Sequence, residues 1–204
     1  GKPLLAHTLK SLTEVAPILG IAVGLASDDR WWHEEFVPSD RILGTYVGGV
    51  SRAETVLRGL EYLEPHVHTE DWVLVHDAAR PCIRPSDIER LISERGDGPS
   101  GALLAVPVPD TIKQSNDRDQ VERTISREGL WFAQTPQLFS YEALRDALQG
   151  SDLATVTDDS SAMEAEGYTP RLVPGGADNL KVTTREDLEL AALILEARWQ
   201  GGDR

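Results

Sequence analysis

The sequence predicts an α/β protein built on a doubly wound, mostly parallel sheet that carries a protruding antiparallel β-arm. Three observations support that expectation. Short apolar, β-branched runs alternate with segments of helical periodicity, as βαβ units require. The alternation breaks between Pro107 and Gln137, where short β-prone pieces surround a polar stretch. Finally, 204 residues that are 40% hydrophobic and 26% charged suit one globular domain with a sizeable core.

The elements follow in order. Leu4, Leu5, Leu9, Leu12 and Val15 recur at helical spacing, predicting an amphipathic helix from Pro3 to Val15 that Pro17 ends. Ile18 to Ala26 reads as a buried strand, Asp28 to Phe36 as a short helix and Ile42 to Val47 as a second strand. Gly48-Gly49 breaks that strand. Ser51 with Glu54 then forms a capping box for a helix carrying Val56, Leu57, Leu60 and Leu63. Trp72-Val73-Leu74-Val75 is the clearest buried strand, and it runs into His76-Asp77-Ala78-Ala79-Arg80-Pro81. A helix with Ser86 and Glu89 as a second capping box follows, then a strand from Ala102 to Val106.

Within the region 107–137, Thr111 to Lys113, Val121 to Ile125 and Leu130 to Ala133 flank the polar Gln114 to Gln120, giving the arm. An uncovered arm on a sheet edge invites pairing, so a homodimer through this arm is expected. The remainder predicts helices at Tyr141 to Leu148 and Ser160 to Glu166, strands at Arg171 to Pro174 and Leu180 to Val182, and a last helix from Arg185 to Arg198. Residues 1–204 thus read as a single domain with the arm inside it.

Composition excludes several function classes. With 20 Lys and Arg against 34 Asp and Glu, the net charge of -14 repels polyanions, so nucleic acid is not an expected partner. A small anionic substrate remains compatible if local cations and backbone amides overrule the global field. The lone Cys82 rules out an intrachain disulfide framework and a multi-cysteine zinc site, and it suits a reducing, cytoplasmic setting. No run approaches the ~18 apolar residues of a membrane helix. Walker-type P-loop, G-x-S-x-G and H-E-x-x-H motifs are absent, and His33-Glu34-Glu35 has no partner histidine at metal-binding spacing. No residue is expected to ligate a metal directly.

Doubly wound sheets bind ligands beyond the carboxyl ends of their strands, which makes residues there the candidates. Asp77 ends the clearest buried strand and Arg80 follows in a loop stiffened by Pro81. A carboxylate there can accept from sugar hydroxyls and an Arg can fork onto phosphate oxygens; a plain loop salt bridge satisfies the same spacing. Gly48-Gly49 before a capped helix can offer amides to an anion, or can be a strand-to-helix turn alone. Arg127 on the arm and Lys181 before the last helix are candidate anion ligands by position, with solvated surface charge as the alternative. Thr111, Thr135 and Thr157 lie at element boundaries, where a hydroxyl serves either a phosphate or a cap.

Several segments together resemble one family. GGVSRAETVLRGL (48–60), WVLVHDAARPCI (72–83), PVPDTIK (107–113), REGLWFAQTPQLF (127–139), TDDSSAMEAEGY (157–168) and DNLKVTTREDL (178–188) resemble, in order, the 2-C-methyl-D-erythritol 4-phosphate cytidylyltransferases of the non-mevalonate isoprenoid pathway. The resemblance implies a Rossmann-like nucleotidyltransferase fold. It also implies transfer of CMP from CTP to methylerythritol phosphate, with magnesium required and pyrophosphate released. Arg127 and Lys181 then correspond to residues that position the acceptor for attack, Arg127 reaching into the partner's site. Asp77, Arg80, Thr111, Thr135 and Thr157 correspond to substrate-binding residues. Gly49, Thr55 and Ala78 correspond to nucleotide-binding positions.

The chain departs from the family pattern in three places. Val50 stands where Asp is usual, and Thr55 where Ser is usual. The family's Gly-rich loop with its Arg, and the following segment with its Lys, have no counterpart, so the expectation is a domain lacking its first strand and phosphate loop, truncated from a longer protein. Transfer to another alditol phosphate such as ribitol 5-phosphate, and a non-catalytic dimeric binding module, are the alternatives to the implied activity.

Overall fold

The computed structural model describes residues 2–33 and 37–201, and among these the strands form three hydrogen-bonded sheets. Helix α1 (Leu4–Thr13) is followed by strands β1 (Ile21–Leu25) and β2 (Ile42–Val47), which pair in parallel. Helix α2 (Arg52–Leu63) then leads to β3 (Trp72–Val75), α3 (Pro85–Glu94) and β4 (Ala102–Pro107). The arm is a hairpin of β5 (Ile112–Ser115) and β6 (Val121–Ile125). Strand β7 (Trp131–Ser140), helices α4 (Tyr141–Gly150) and α5 (Asp159–Ala165), strand β8 (Arg171–Pro174) and helix α6 (Arg185–Gly201) complete the order.

The central sheet runs β3-β7-β4-β8 and is mixed: β7 lies antiparallel to both β3 and β4, whereas β4 and β8 are parallel. The α/β class therefore stands, while the mostly parallel sheet gives way to a mixed one. The cause is the arm. A chain that leaves β4, turns through a hairpin and returns has reversed direction, so its return strand must pair antiparallel. That strand extends past the predicted Ala133 to Ser140, and Leu104 faces the irregular stretch near Pro136, where pairing with β4 shifts register.

Side-chain alternation along the strands explains why helices cover both faces. Leu138 packs with Leu9, Leu12, Ile88 and Leu91 of α1 and α3, whereas the next residue, Phe139, packs with Leu60, Leu144, Leu148 and Met163 of α2, α4 and α5. Val73 joins the second cluster and its neighbours Trp72 and Leu74 the first. Period two on a sheet thus feeds two separate cores. Each fully buried Leu, Ile or Phe contributes about 1.5–3 kcal/mol, so both layers are substantial.

Local chemistry moves three predicted elements. No helix forms over 28–33, because the Asp29 carboxylate accepts from the Trp31 and Trp32 amides at 3.0 and 2.9 Å and fixes a turn instead. Positions 34–36 of that expected helix lie outside the described residues. α3 starts with Pro85 after Arg84 and shows no side-chain cap, so Ser86 and Glu89 form no capping box; the fixed φ of proline sets the helix start. Leu180 to Val182 form no strand, although the Val182 amide donates to the Ala79 carbonyl at 2.8 Å.

β1 and β3 are not hydrogen-bonded to each other. Between them lies an apolar cleft of about 310 Å³, lined in part by Leu5, Leu9, Val23, Val73 and Leu74.

Candidate active site

Four charged side chains converge where β3 ends. Asp77 is the hub, with its carboxylate only 13% exposed. Its Oδ1 accepts from Arg52 Nε at 3.0 Å, while Oδ2 lies 3.0 Å from Lys181 Nζ and 3.7 Å from Arg80 Nε. Arg52 comes from the first turn of α2, Arg80 from the loop after β3 and Lys181 from the loop before α6. Burial pushes the Asp77 carboxyl up, but Arg52 and Lys181 outweigh it and hold the group below its ordinary range.

The loop carrying Asp77 is fixed from behind by β7. Thr135 Oγ1 accepts from the Asp77 amide at 3.0 Å and lies 3.1 Å from His76 Nδ1, while His76 Nε2 lies 3.3 Å from the Arg80 carbonyl. Burial lowers the His76 pKa to about 4, so the ring is neutral near pH 7. One tautomer satisfies every atom: Nε2–H donates to the carbonyl and Nδ1 accepts from the threonine hydroxyl. Thr135 thereby braces the loop.

A second brace holds the loop that carries Lys181. Fully buried Asn179 donates to the Thr135 carbonyl at 2.9 Å, and its own carbonyl accepts from Arg80 Nη1 at 2.7 Å. Arg80 is thus turned toward the cluster by backbone. Burial lowers its pKa, opposed by Asp77.

A cavity of about 730 Å³ opens beside the cluster, lined by Arg52, Asp77, Arg80, Thr135, Thr157 and Lys181 among others. The structure thus unites five residues expected from the sequence: Asp77, Arg80, Thr135, Thr157 and Lys181. Thr157 is exposed at the rim, with its amide donating to Ser161 Oγ at 3.2 Å. Thr111 and Arg127 are exposed on the arm and do not line this cavity.

Of the expected nucleotide positions, Thr55 and Ala78 line the smaller cleft, and Gly49 is tied to Thr55 beside it. Thr55 Oγ1 donates to the Ser51 carbonyl at 2.9 Å and accepts from the Gly49 amide at 3.0 Å. Ser51 caps α2 by accepting from the Glu54 amide, but Glu54 reaches past Ser51 and accepts from the Val50 amide at 2.8 Å. Arg58 completes the brace, bonding Glu54 at 2.6 Å and the Gly48 carbonyl at 2.9 Å. A Cβ on Gly49 would collide with the Glu54 side chain, so glycine is required there by close approach. The Ala78 carbonyl accepts from Thr8 Oγ1 at 2.8 Å, tying the loop to α1.

Sequence reasoning passes over Arg52, His76, Asp159 and Asn179. Arg52 and Asp159 each sit in a first helical turn facing the end of β3, and their contact at 2.8 Å joins residues 107 positions apart. A basic residue immediately after the Ser51 cap, beside the strand-end Asp77, is the available signal.

Among the described residues, no three His, Cys, Asp or Glu side chains group to hold a metal ion. Asp77 and Asp159 are paired with guanidinium and ammonium groups, and Asp158 and Glu164 of the cavity lining accept from amide and hydroxyl donors instead. No helix among the described residues is long and apolar enough to cross a membrane.

Comparison with known proteins agrees with the motif reading. The profile of the family described as 2-C-methyl-D-erythritol 4-phosphate cytidylyltransferase matches residues 1–197. A protein of that name from Dechloromonas aromatica (strain RCB) is 44% identical over 200 residues, spanning 97% of this chain and 87% of the relative. Another from Aliivibrio fischeri (strain MJ11) is 46% identical over 198 residues, spanning 96% and 83%. A solved 4-diphosphocytidyl-2C-methyl-D-erythritol synthase superposes with TM-score 0.86 at 35% identity, covering 96% of this chain and 91% of that structure. The cytidylyltransferase of Thermus thermophilus gives TM-score 0.76 at 29% identity, covering 96% and 90%. With its fold, its motifs and its relatives in agreement, the chain belongs to the 2-C-methyl-D-erythritol 4-phosphate cytidylyltransferase family.

Proposed function

We propose that the protein transfers the cytidylyl group of CTP to the phosphate of 2-C-methyl-D-erythritol 4-phosphate and releases pyrophosphate, a step of isoprenoid precursor synthesis. The observation that carries this reading is the Arg52–Asp77–Lys181–Arg80 cluster opening onto a cavity of about 730 Å³. In a protein of net charge -14, three cations around one carboxylate make a local pocket for anions.

In the reaction, an oxygen of the acceptor phosphate attacks the α-phosphorus of CTP in line. The bond to the β-phosphate oxygen breaks, and pyrophosphate leaves with its electron pair. Because the nucleophile is already an anion, the protein has no proton to remove, and its contribution is alignment and charge stabilisation. Lys181 turns from Asp77 to the acceptor phosphate, Arg80 supports the same charge, and Asp77 accepts from acceptor hydroxyls. Thr157 donates at the rim, and Thr135 keeps the Asp77 amide in place. The cytosine end lies at the Gly49, Thr55 and Ala78 side, where the braced turn presents backbone groups. Magnesium, not expected to be ligated directly by the protein, would supply counter-charge to the CTP phosphates, since Asp77 and Asp159 are already paired with cations.

The reading includes a homodimer joined through the arm, with Arg127, and Thr111 beside it, serving the partner's cavity. Val121, Leu130 and Phe132 on and near the hairpin are 65%, 39% and 55% exposed, an apolar surface suited to burial against a second copy. It also includes a cytoplasmic location, in keeping with the free, buried Cys82. We further read the cleft between β1 and β3 as a strand position, since apolar side chains from both flanking strands line it.

The test is magnesium-dependent pyrophosphate release by the full gene product, with CTP and either methylerythritol phosphate or ribitol 5-phosphate as acceptor. Release with a preference for methylerythritol phosphate is the expected result. Preference for ribitol 5-phosphate, or no release from folded protein, overturns the reading.

A further inference from the structure

Arg52 reaches the site without lining up on any ligand position expected from the sequence. Its guanidinium forks between two carboxylates on different elements: Nε to Asp77 Oδ1 at 3.0 Å, and Nη2 to Asp159 Oδ2 at 2.8 Å. Asp159 is fully buried, and its Oδ1 has no hydrogen-bond partner among the described residues. Its place is set by the sheet. The buried Gln137 of β7 accepts from the Ser160 amide and donates to Asp158 Oδ2, each at 2.8 Å, so the first turn of α5 is pinned.

The three partners of Asp77 are not equivalent. Lys181 is 44% exposed and bonded to Oδ2, and Arg80 stands off at 3.7 Å from the same oxygen. Arg52 alone among them contacts Oδ1, and its far end is fastened to a buried post. When Lys181 swings to a phosphate, Oδ2 is released while Oδ1 stays held. A planar guanidinium can hold both carboxylates at once in this way; an ammonium acts as a single point of charge.

We propose that Arg52, anchored on Asp159, is a positioning residue that fixes Asp77 through Oδ1 so that Oδ2 is presented to a hydroxyl of the alditol phosphate acceptor. The inference rests on the transferase reading above and names the part of the site that grips the acceptor. Burial of an ion pair is often close to neutral for stability compared with apolar packing, so stability alone does not account for this fork.

The test is a double-mutant cycle between Asp159 and Asp77, which are linked here through Arg52. In the full gene product, methylerythritol phosphate affinity is measured by calorimetry, and KM for each substrate by pyrophosphate release, for Asp159→Asn, Asp77→Asn and the pair. We expect Asp159→Asn to weaken acceptor affinity about tenfold with the KM for CTP within about twofold, and to add less than about twofold in the Asp77→Asn background. Arg52→Lys gives the same pattern. An equal effect in both backgrounds, or no effect on acceptor affinity, makes Arg52 a structural staple and overturns the proposal. Should Asp159→Asn fail to fold by circular dichroism, Arg52→Gln/Asp159→Asn leaves no lone buried charge and is read by the same criterion. Wild-type release of pyrophosphate separates the outcomes: release with additive effects sinks this inference alone, whereas neither binding nor release by wild type sinks the transferase reading and this inference together.

Discussion

Lys181 Nζ rests 3.0 Å from Asp77 Oδ2 at the mouth of the cavity, half in solvent, paired with a carboxylate that Arg52 holds from the other side. The lysine is therefore the cation freest to follow an incoming phosphate. Lys181→Ala should lower turnover about 10²–10³-fold, the effect of removing one group that stabilises developing charge, while the melting temperature stays near wild type. Steady-state kinetics beside a thermal melt check this, and wild-type turnover removes Lys181 from the site.

Arg127 follows β6 in the exposed loop leading to β7 and lies off the cavity of its own chain. If it serves a partner's site, Arg127→Ala homodimers lose most turnover, and so do Asp77→Ala homodimers. Mixing the two should restore activity, because one of the two sites in a mixed dimer then carries both native residues. Pyrophosphate release that stays at the level of the separate variants after subunit exchange, with mixed dimers confirmed by mass, counts against sharing.

Strand ends are legible in the sequence where a residue's neighbours in the chain are also its neighbours in space. Trp72–Val75 and Ile42–Val47 form as read, and Asp77 and Arg80 follow from them. What escapes depends on partners far along the chain. Arg52 gains its meaning from Asp159, and Asn179 from Thr135, 44 positions earlier. The sheet's mixed character is hidden for a similar reason: β7 continues from the arm into the core, and Pro136 disguises a single strand as an ended one. The resemblance makes Thr135 a substrate-binding position, and the structure adds a bracing role that depends on distant partners, His76 and the Asp77 amide.

The turn at Gly49 offers a sharper test of the nucleotide side. Thr55, Glu54 and Arg58 hold the 48–50 backbone in place, and the Glu54 side chain leaves no room for a Cβ at position 49. Gly49→Ala should cost about 1–3 kcal/mol of stability through overpacking, and should raise the KM for CTP more than that for the acceptor. Thermal melts and both KM values decide it. A larger rise for methylerythritol phosphate would move the cytosine site elsewhere.

His76 gives the clearest pH dependence. Buried and neutral, it has a pKa lowered to about 4 from the ordinary 6.5, so the unfolded chain takes up a proton in a range where the folded chain does not. Stability from this group is fully present above pH 6.5 and is lost as pH falls toward 4, below which both states are protonated and the loss stops. The gap corresponds to about 3 kcal/mol at most. Replacing the ring with a group that does not titrate, as in His76→Gln, should lower stability at pH 7 by breaking the Thr135 and Arg80 contacts, yet flatten its fall between about pH 6.5 and 4.5. Urea melts of both proteins across that range measure the slopes. Parallel slopes would mean that His76 does not titrate there, and the acid sensitivity of the fold would belong to carboxylates held below their ordinary range, such as Asp77 and Asp178, whose contribution has the same sign but is centred below about pH 4.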